Sequence, residues 1–238
     1  MTFDADSTTI GTRDLFINQV SNELVAKGLL DAADKQLKTE GYGDTNKVNI
    51  AIVAQTKTDA NHQAWLSEIK KLLGTPEYSY MQIKNESTDI YYPGADETQT
   101  QTQCGTLISR MGEGEDKIQA AISFTSMATP ALGAQYMSAA NKPDKNKIVL
   151  TGLATPNALS SYILNADVPL KTGVLWNCMD LGYLAVMTGY QLATGDITTG
   201  SATITTDRLG EKKIGSTGEI ILGDALVFDS TNVKDFNY

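Results

Sequence analysis

Asp4 and Asp6, two carboxylates one residue apart near the start of the chain, are the strongest acceptors whose spacing suggests a site. In an extended strand both side chains point to the same side, so they read either as half of a ligand grip or as a solvated polar end. The other candidates are neutral. They are Gln19, Asn61-His62-Gln63, Phe124-Thr125-Ser126, Thr155-Pro156-Asn157, and Asn177 beside Trp176. Amides and hydroxyls donate and accept without net charge, and aromatic faces cover C–H patches. That mixture suits a neutral polyhydroxylated ligand.

Each candidate also has a plainer reading. His62, the only histidine, could be a surface residue at a helix start. Asn61 could be a helix N-cap. Trp65 falls on an apolar helix stripe and reads as core. Glu113, Glu115 and Asp116 lack the full calcium-loop pattern and read as a solvated turn. Catalytic signatures are sparse: there is no phosphate loop at a strand–helix junction, no serine nucleophile elbow and no second histidine. The expectation is a binding protein, not an enzyme, with no cofactor and no metal.

The candidates take their meaning from the elements that carry them. An apolar strand at residues 15–17 leads into a helix with Val20, Leu24, Val25, Leu29, Ala33 and Leu37 on one face. A buried strand at 48–54 precedes a helix carrying Trp65, Ile69 and Leu72 that stops at Gly74. A weaker strand at 78–83 and a polar loop at 85–96 lead to a helix at 98–111. Three more strand–helix pairs follow, with strands at 118–124, 147–151 and 174–176 and helices at 130–140, 157–164 and 179–192. Beyond Gly195 short β segments alternate with glycine turns. This alternation predicts an α/β fold with a doubly wound parallel sheet. In such a sheet, ligands sit at the C-terminal ends of the strands, where every neutral candidate falls.

Hydrophobic residues make up 41% and charged residues 20% of the 238 positions, as in ordinary globular proteins. The net charge of −9 disfavours nucleic acid as a partner. No apolar run approaches the roughly 18 residues of a membrane span. Cys104 and Cys178 have no metal-ligand companions nearby, and no disulfide can be argued from their positions alone.

The strand-end residues resemble the type I periplasmic solute-binding proteins of sugar ABC importers, in the branch of rhamnose-binding proteins and autoinducer-2 receptors. The matching segments are Phe3-Asp4-Ala5-Asp6, Leu15-Phe16-Ile17-Asn18-Gln19, Asn61-His62-Gln63-Ala64-Trp65 and Gly152-Leu153-Ala154-Thr155-Pro156-Asn157. Leu175-Trp176-Asn177, Asp180-Leu181-Gly182-Tyr183 and Leu226-Val227-Phe228-Asp229 continue the match in order. The resemblance implies two lobes joined by crossovers, with sugar in the cleft and the closed form recognised by an ABC permease. It implies extracytoplasmic location, in the periplasm or as a cell-surface lipoprotein. It places 1–17 as a remnant of the first lobe, 18–176 as the second lobe, 177–196 as a helix returning to the first, and 197–238 as a tail completing the second.

Most of the first lobe would then lie before residue 1, leaving this chain impaired in binding. Its exposed apolar flank would be covered by that lobe or by self-association. Carried over by position, the ligand contacts are Asp4, Asp6, Gln19, Asn61, His62, Phe124, Ser126 and Asn177. Autoinducer-2 receptors carry Asp-Gln at the positions of Asn61-His62, proline and alanine at those of Phe124 and Ser126, and usually aspartate at that of Asn177. The implied ligand is therefore a neutral sugar or polyol. A ligand-sensing domain of a LacI-type transcription regulator, or an autoinducer-2 receptor, is the alternative.

Overall fold

Every residue of the strand Val48–Val53 is buried, which a strand achieves when both faces of its sheet are covered. The computed structural model describes residues 1–7, 9, 11–43 and 46–238, so Thr8 and Ile10 of the expected 1–17 crossover lie outside the described residues. In chain order it contains β1 (Thr2–Phe3), β2 (Phe16–Asn18), α1 (Asn22–Thr39), β3 (Val48–Val53), α2 (Ala60–Leu73) and β4 (Met81–Gln82). Then come α3 (Glu86–Asp89), β5 (Ile90–Tyr91), α4 (Glu97–Arg110), β6 (Ala120–Ser123), α5 (Ala128–Ser138) and β7 (Val149–Leu153). The last elements are α6 (Pro156–Ile163), β8 (Leu170–Leu175), α7 (Cys178–Thr194), β9 (Thr203–Thr206), β10 (Gly210–Lys213), β11 (Glu219–Ile221) and β12 (Leu226–Asp229). The fold is mixed α/β, as expected, and its contacts divide it into two compact units. Unit 1 holds Met1–Leu24 and Trp176–Leu226, and unit 2 holds Val25–Leu175 and Val227–Tyr238.

Unit 2 is built on a sheet with the order β12-β8-β7-β6-β3-β4, in which β5 also pairs with β3. The pairs of β3 with β4, β5 and β6, of β6 with β7, and of β7 with β8 are parallel. The chain steps to one side of β3 for β4 and β5, and to the other side for β6. The loops after β3 and β6 therefore leave in opposite directions, and that divergence marks the ligand crevice of a doubly wound sheet. Local sequence sets the helix starts around it. Asp59 caps α2 by accepting from the His62 N–H at 2.9 Å, and Thr155 caps α6 with Pro156 in its first turn.

The polar loop expected at 85–96 is more structured than its composition suggests. The edge strand runs as β4, bulges out as α3, and rejoins β3 as β5. Arg110 fastens the bulge, donating to Asp89 Oδ1 at 2.6 Å, to the Thr88 carbonyl at 2.7 Å and to the Tyr91 hydroxyl at 2.6 Å. Such a bulge blunts a sheet edge. The strand expected at 78–83 shortens to Met81–Gln82 because the preceding tyrosines turn to α1. The Tyr78 and Tyr80 hydroxyls donate to Asp31 and to Asp34 there.

Unit 1 contains the parallel sheet β1-β2-β11 and the antiparallel hairpin β9-β10. Leu15, Ile17, Leu181, Leu184, Ile204 and Ile220 centre its core. Residues 2–3 form an edge strand, and Phe3 is 57% exposed, because among the described residues β1 has a partner on one side only. The tail beyond residue 197 divides: β11 pairs with β2, and the Leu222 N–H donates to the Asn18 carbonyl at 2.8 Å, which keeps residues through Leu226 in unit 1. Only Val227–Tyr238 joins unit 2, where Phe228 is fully buried.

Candidate functional site

At the divergence of the β3 and β6 loops, unit 2 presents a small aromatic stack under a polar rim. The His62 and Trp65 rings lie 5.2 Å apart, His62 and Phe124 5.8 Å, and Trp65 meets Phe124 edge-on at 5.9 Å. All three side chains are buried. The Gln55 N–H donates to His62 Nδ1 at 3.0 Å, and the ring also hydrogen-bonds the Phe124 backbone. His62 and Phe124 thus build the wall from beneath. The rim consists of half-buried Asn61, exposed Ser126 and half-buried Gln63, whose side-chain nitrogen is buried with no hydrogen-bond partner among the described residues. Lys57 on the β3 loop stands over the Tyr92 ring at 5.5 Å.

In unit 1 the two acids serve different ends. Asp6 is clamped: Arg13 donates to its two oxygens at 2.8 and 2.5 Å, the Thr2 hydroxyl at 2.9 Å and the Ser7 N–H at 2.8 Å. The Arg13 guanidinium, aided by these hydrogen bonds and opposed by partial burial, lowers the Asp6 carboxyl to about 2. Asp4 is exposed and adopts a left-handed backbone, φ 66°, a conformation aspartate tolerates better than most residues. Gln19 is 2% exposed, and among the described residues its side-chain oxygen has no hydrogen-bond partner. The Asn177 oxygen accepts from the Met179 and Asp180 N–H groups at 3.0 and 3.1 Å, capping α7 and leaving its amide N–H groups for other use.

Arg13 escaped the reading of the sequence, although a lone arginine seven residues after Asp6 was a visible signal of an ion pair. Cys178 begins α7 in an exposed position, and partial desolvation followed by the Asp4 charge pushes its thiol up. Cys104 is buried, and desolvation drives its thiol up to about 12. A native thiol titration is expected to find one reactive cysteine, and unfolding two. Asp4→Asn is expected to speed the Cys178 reaction a few-fold near neutral pH; an unchanged rate would show that Asp4 does not act on it.

A family model described as a periplasmic binding protein domain matches residues 1–197. The chain belongs to the periplasmic binding protein family. Solved structures agree with this assignment. A sugar ABC transporter structure from Actinomyces odontolyticus is 28% identical with a TM-score of 0.77, and the match covers 99% of this chain and 70% of that one. An ABC transporter solute binding protein from Clostridium phytofermentas, with bound L-rhamnose, is 23% identical with a TM-score of 0.80, covering 98% and 70%. LsrB from Clostridium saccharobutylicum, in complex with AI-2, is 20% identical with a TM-score of 0.85, covering 100% and 74%. No curated protein matches the chain. Among the described residues of this periplasmic binding protein, no helix is long and apolar enough to cross a membrane.

Proposed function

We propose that the chain is the sugar-binding component of an ABC-type importer, working outside the cytoplasm and taking a small neutral carbohydrate or polyol. The observation that carries this reading is the match of residues 1–197 to a periplasmic binding protein domain, beside the neutral amide and hydroxyl side chains at the strand-end loops of each unit. Among the described residues, the Gln19 oxygen in unit 1 lacks a donor and, separately, the Gln63 nitrogen in unit 2 lacks an acceptor. A hydroxyl can serve either, and burying such atoms unpaired is costly. The similar solved structures with sugar ligands support the same class.

In this reading Asn61 and Ser126 are the ligand-facing residues of unit 2, and Asp4, Gln19 and Asn177 are those of unit 1, each unit taken by itself. Asp6, His62 and Phe124 hold those groups in place. The protein binds and releases its ligand without turnover, and a membrane permease recognises the liganded state. Met1, Phe3, Met179, Val186 and Tyr190 of unit 1 expose apolar surface that fits cover by another polypeptide, a second copy included. Self-association is the expected result in sedimentation at high concentration, and a strictly monomeric boundary would contradict it.

The contact assignment is tested by saturation-transfer NMR with L-rhamnose as the probe. Asn61→Ala is expected to weaken binding about tenfold, the worth of a hydrogen bond that leaves a polar partner unpaired. An Asn61→Ala chain that binds like the parent removes Asn61 from the site.

A further inference from the structure

We propose that His62 is a positioning residue of the unit 2 wall: uncharged, it ties the loop after β3 to the loop after β6, and protonation frees the loop after β3, so that sugar affinity falls in acid. The sugar consequence rests on the function proposed above; the latch itself does not. His62 is 7% exposed, packed between Trp65 and Phe124, and has no nitrogen left for a ligand. Nδ1 accepts the Gln55 N–H at 3.0 Å, so the neutral ring carries its proton on Nε2, the nitrogen that serves the Phe124 backbone. One imidazole therefore joins the backbone that precedes Asn61 to the backbone that precedes Ser126. Protonation at Nδ1 replaces that acceptor with a donor aimed at another N–H. The Gln55 bond must break, and the β3 loop loses its tie.

Few charges face the ring. Asp59 Oδ1 lies 3.8 Å from Nδ1, but the same oxygen is committed to the His62 N–H as the cap of α2. Lys57, from the β3 loop, is drawn to Tyr92. Trp65 from α2 and Phe124 from the β6 loop are uncharged. Burial opposes protonation and Asp59 favours it; burial dominates and holds the imidazole below its ordinary 6.5. Because the latched ring binds a proton more weakly than a free one, the latch is at full strength above about 6.5 and fades as the pH falls below that value.

The chain has one histidine, so its imidazole can be followed without assignment ambiguity. Long-range nitrogen NMR on the ligand-free protein is expected to show the Nε2–H tautomer at about pH 8. The titration midpoint should lie below 6.5, with the Gln55 amide shifting at the same midpoint. An Nδ1–H tautomer, a midpoint at or above the ordinary value, or a Gln55 amide indifferent to the titration would overturn the latch.

The second arm measures L-rhamnose affinity by saturation transfer. A loss of about tenfold from pH 8 to pH 5 is expected, and His62→Gln, which can keep only one of the two bonds, should bind more weakly at pH 8 and lose the pH dependence. Affinity that is independent of pH in the parent, or equally pH-dependent in His62→Gln, overturns the coupling to sugar. If no sugar binds at any pH, the proposed function fails, and with it the coupling, while the imidazole titration still decides the latch.

Discussion

Gly152→Ala is expected to destabilise unit 2 by about 3 kcal/mol, the upper end of what overpacking costs. A methyl group built on Gly152 would lie 2.5 Å from the Ser123 carbonyl oxygen and 2.6 Å from Thr129 Oγ1. The first is backbone of the paired strand, Ser123 opposite Gly152, and cannot step aside without breaking the β6–β7 ladder. The second lies within hydrogen-bond reach of two carbonyls, Leu153 at 2.8 Å and Thr125 at 3.0 Å, and shares its one proton between them, so displacing it loosens the start of α5 and the β6 loop that carries Ser126. For a chain of this length the fall in Tm should be about 6–12 °C. Thermal unfolding followed by Trp65 fluorescence in a Trp176→Phe background reads it. The control, read by Trp176 fluorescence in a Trp65→Phe background, is Gly182→Ala in α7 of unit 1, where among the described residues nothing lies within 4 Å of the added carbon. There the same change should stabilise by about 0.5–1 kcal/mol through helix propensity. Equal effects at the two sites would refute the close-approach argument.

Arg13→Ala is expected to cost unit 1 about 2–3 kcal/mol, below the usual cost of breaking a buried pair because the Asp6 side chain is 25% exposed. The guanidinium side chain is only 5% exposed; besides Asp6 it holds the Thr217 carbonyl and covers the Phe16 ring at 5.6 Å. Its removal therefore loses packing, an ion pair and a tie to the loop before β11. The pH dependence has a definite sign. Asp6 titrates lower in the folded chain than its ordinary 3.8, so its contribution is complete above that value and disappears as the pH falls towards about 2. Without Arg13 the carboxyl returns towards its ordinary range. Acid unfolding of the variant should begin at higher pH, and Arg13→Lys should restore only part of the difference. A variant that matches the parent at neutral pH and in acid would show that the clamp contributes nothing.

Much of this fold could be read from the chain because its elements are strongly patterned. Residues 48–54 could only be a buried strand, and α2 announced both its apolar stripe and its Gly74 stop. The bulge at Glu86–Asp89 could not be read. It exists through Arg110, some twenty residues downstream, and no local propensity reports such a tie. The pairing of β11 with β2 is hidden for the same reason, since it joins segments about 200 residues apart. The site was legible as a set of loops and less so as a set of roles. Residue types located the strand ends correctly, but only packing reveals that His62 and Phe124 face inward while Asn61 and Ser126 face the rim. Asp4 and Asp6 looked equivalent in sequence, and Arg13 alone makes them different.

The most direct test of the central claim is the charge selectivity of the strand-end loops. Saturation-transfer NMR detects weak binding, and amide shifts of Asn61 and Ser126 locate it. The panel should pair neutral L-rhamnose, D-arabinose and allitol with a uronic acid and a sugar phosphate. Neutral members are expected to show transfer and to move the Asn61 and Ser126 signals, while the anionic members leave both unchanged. Preferential binding of the sugar phosphate, or neutral ligands that leave these loops unmoved, would contradict the account.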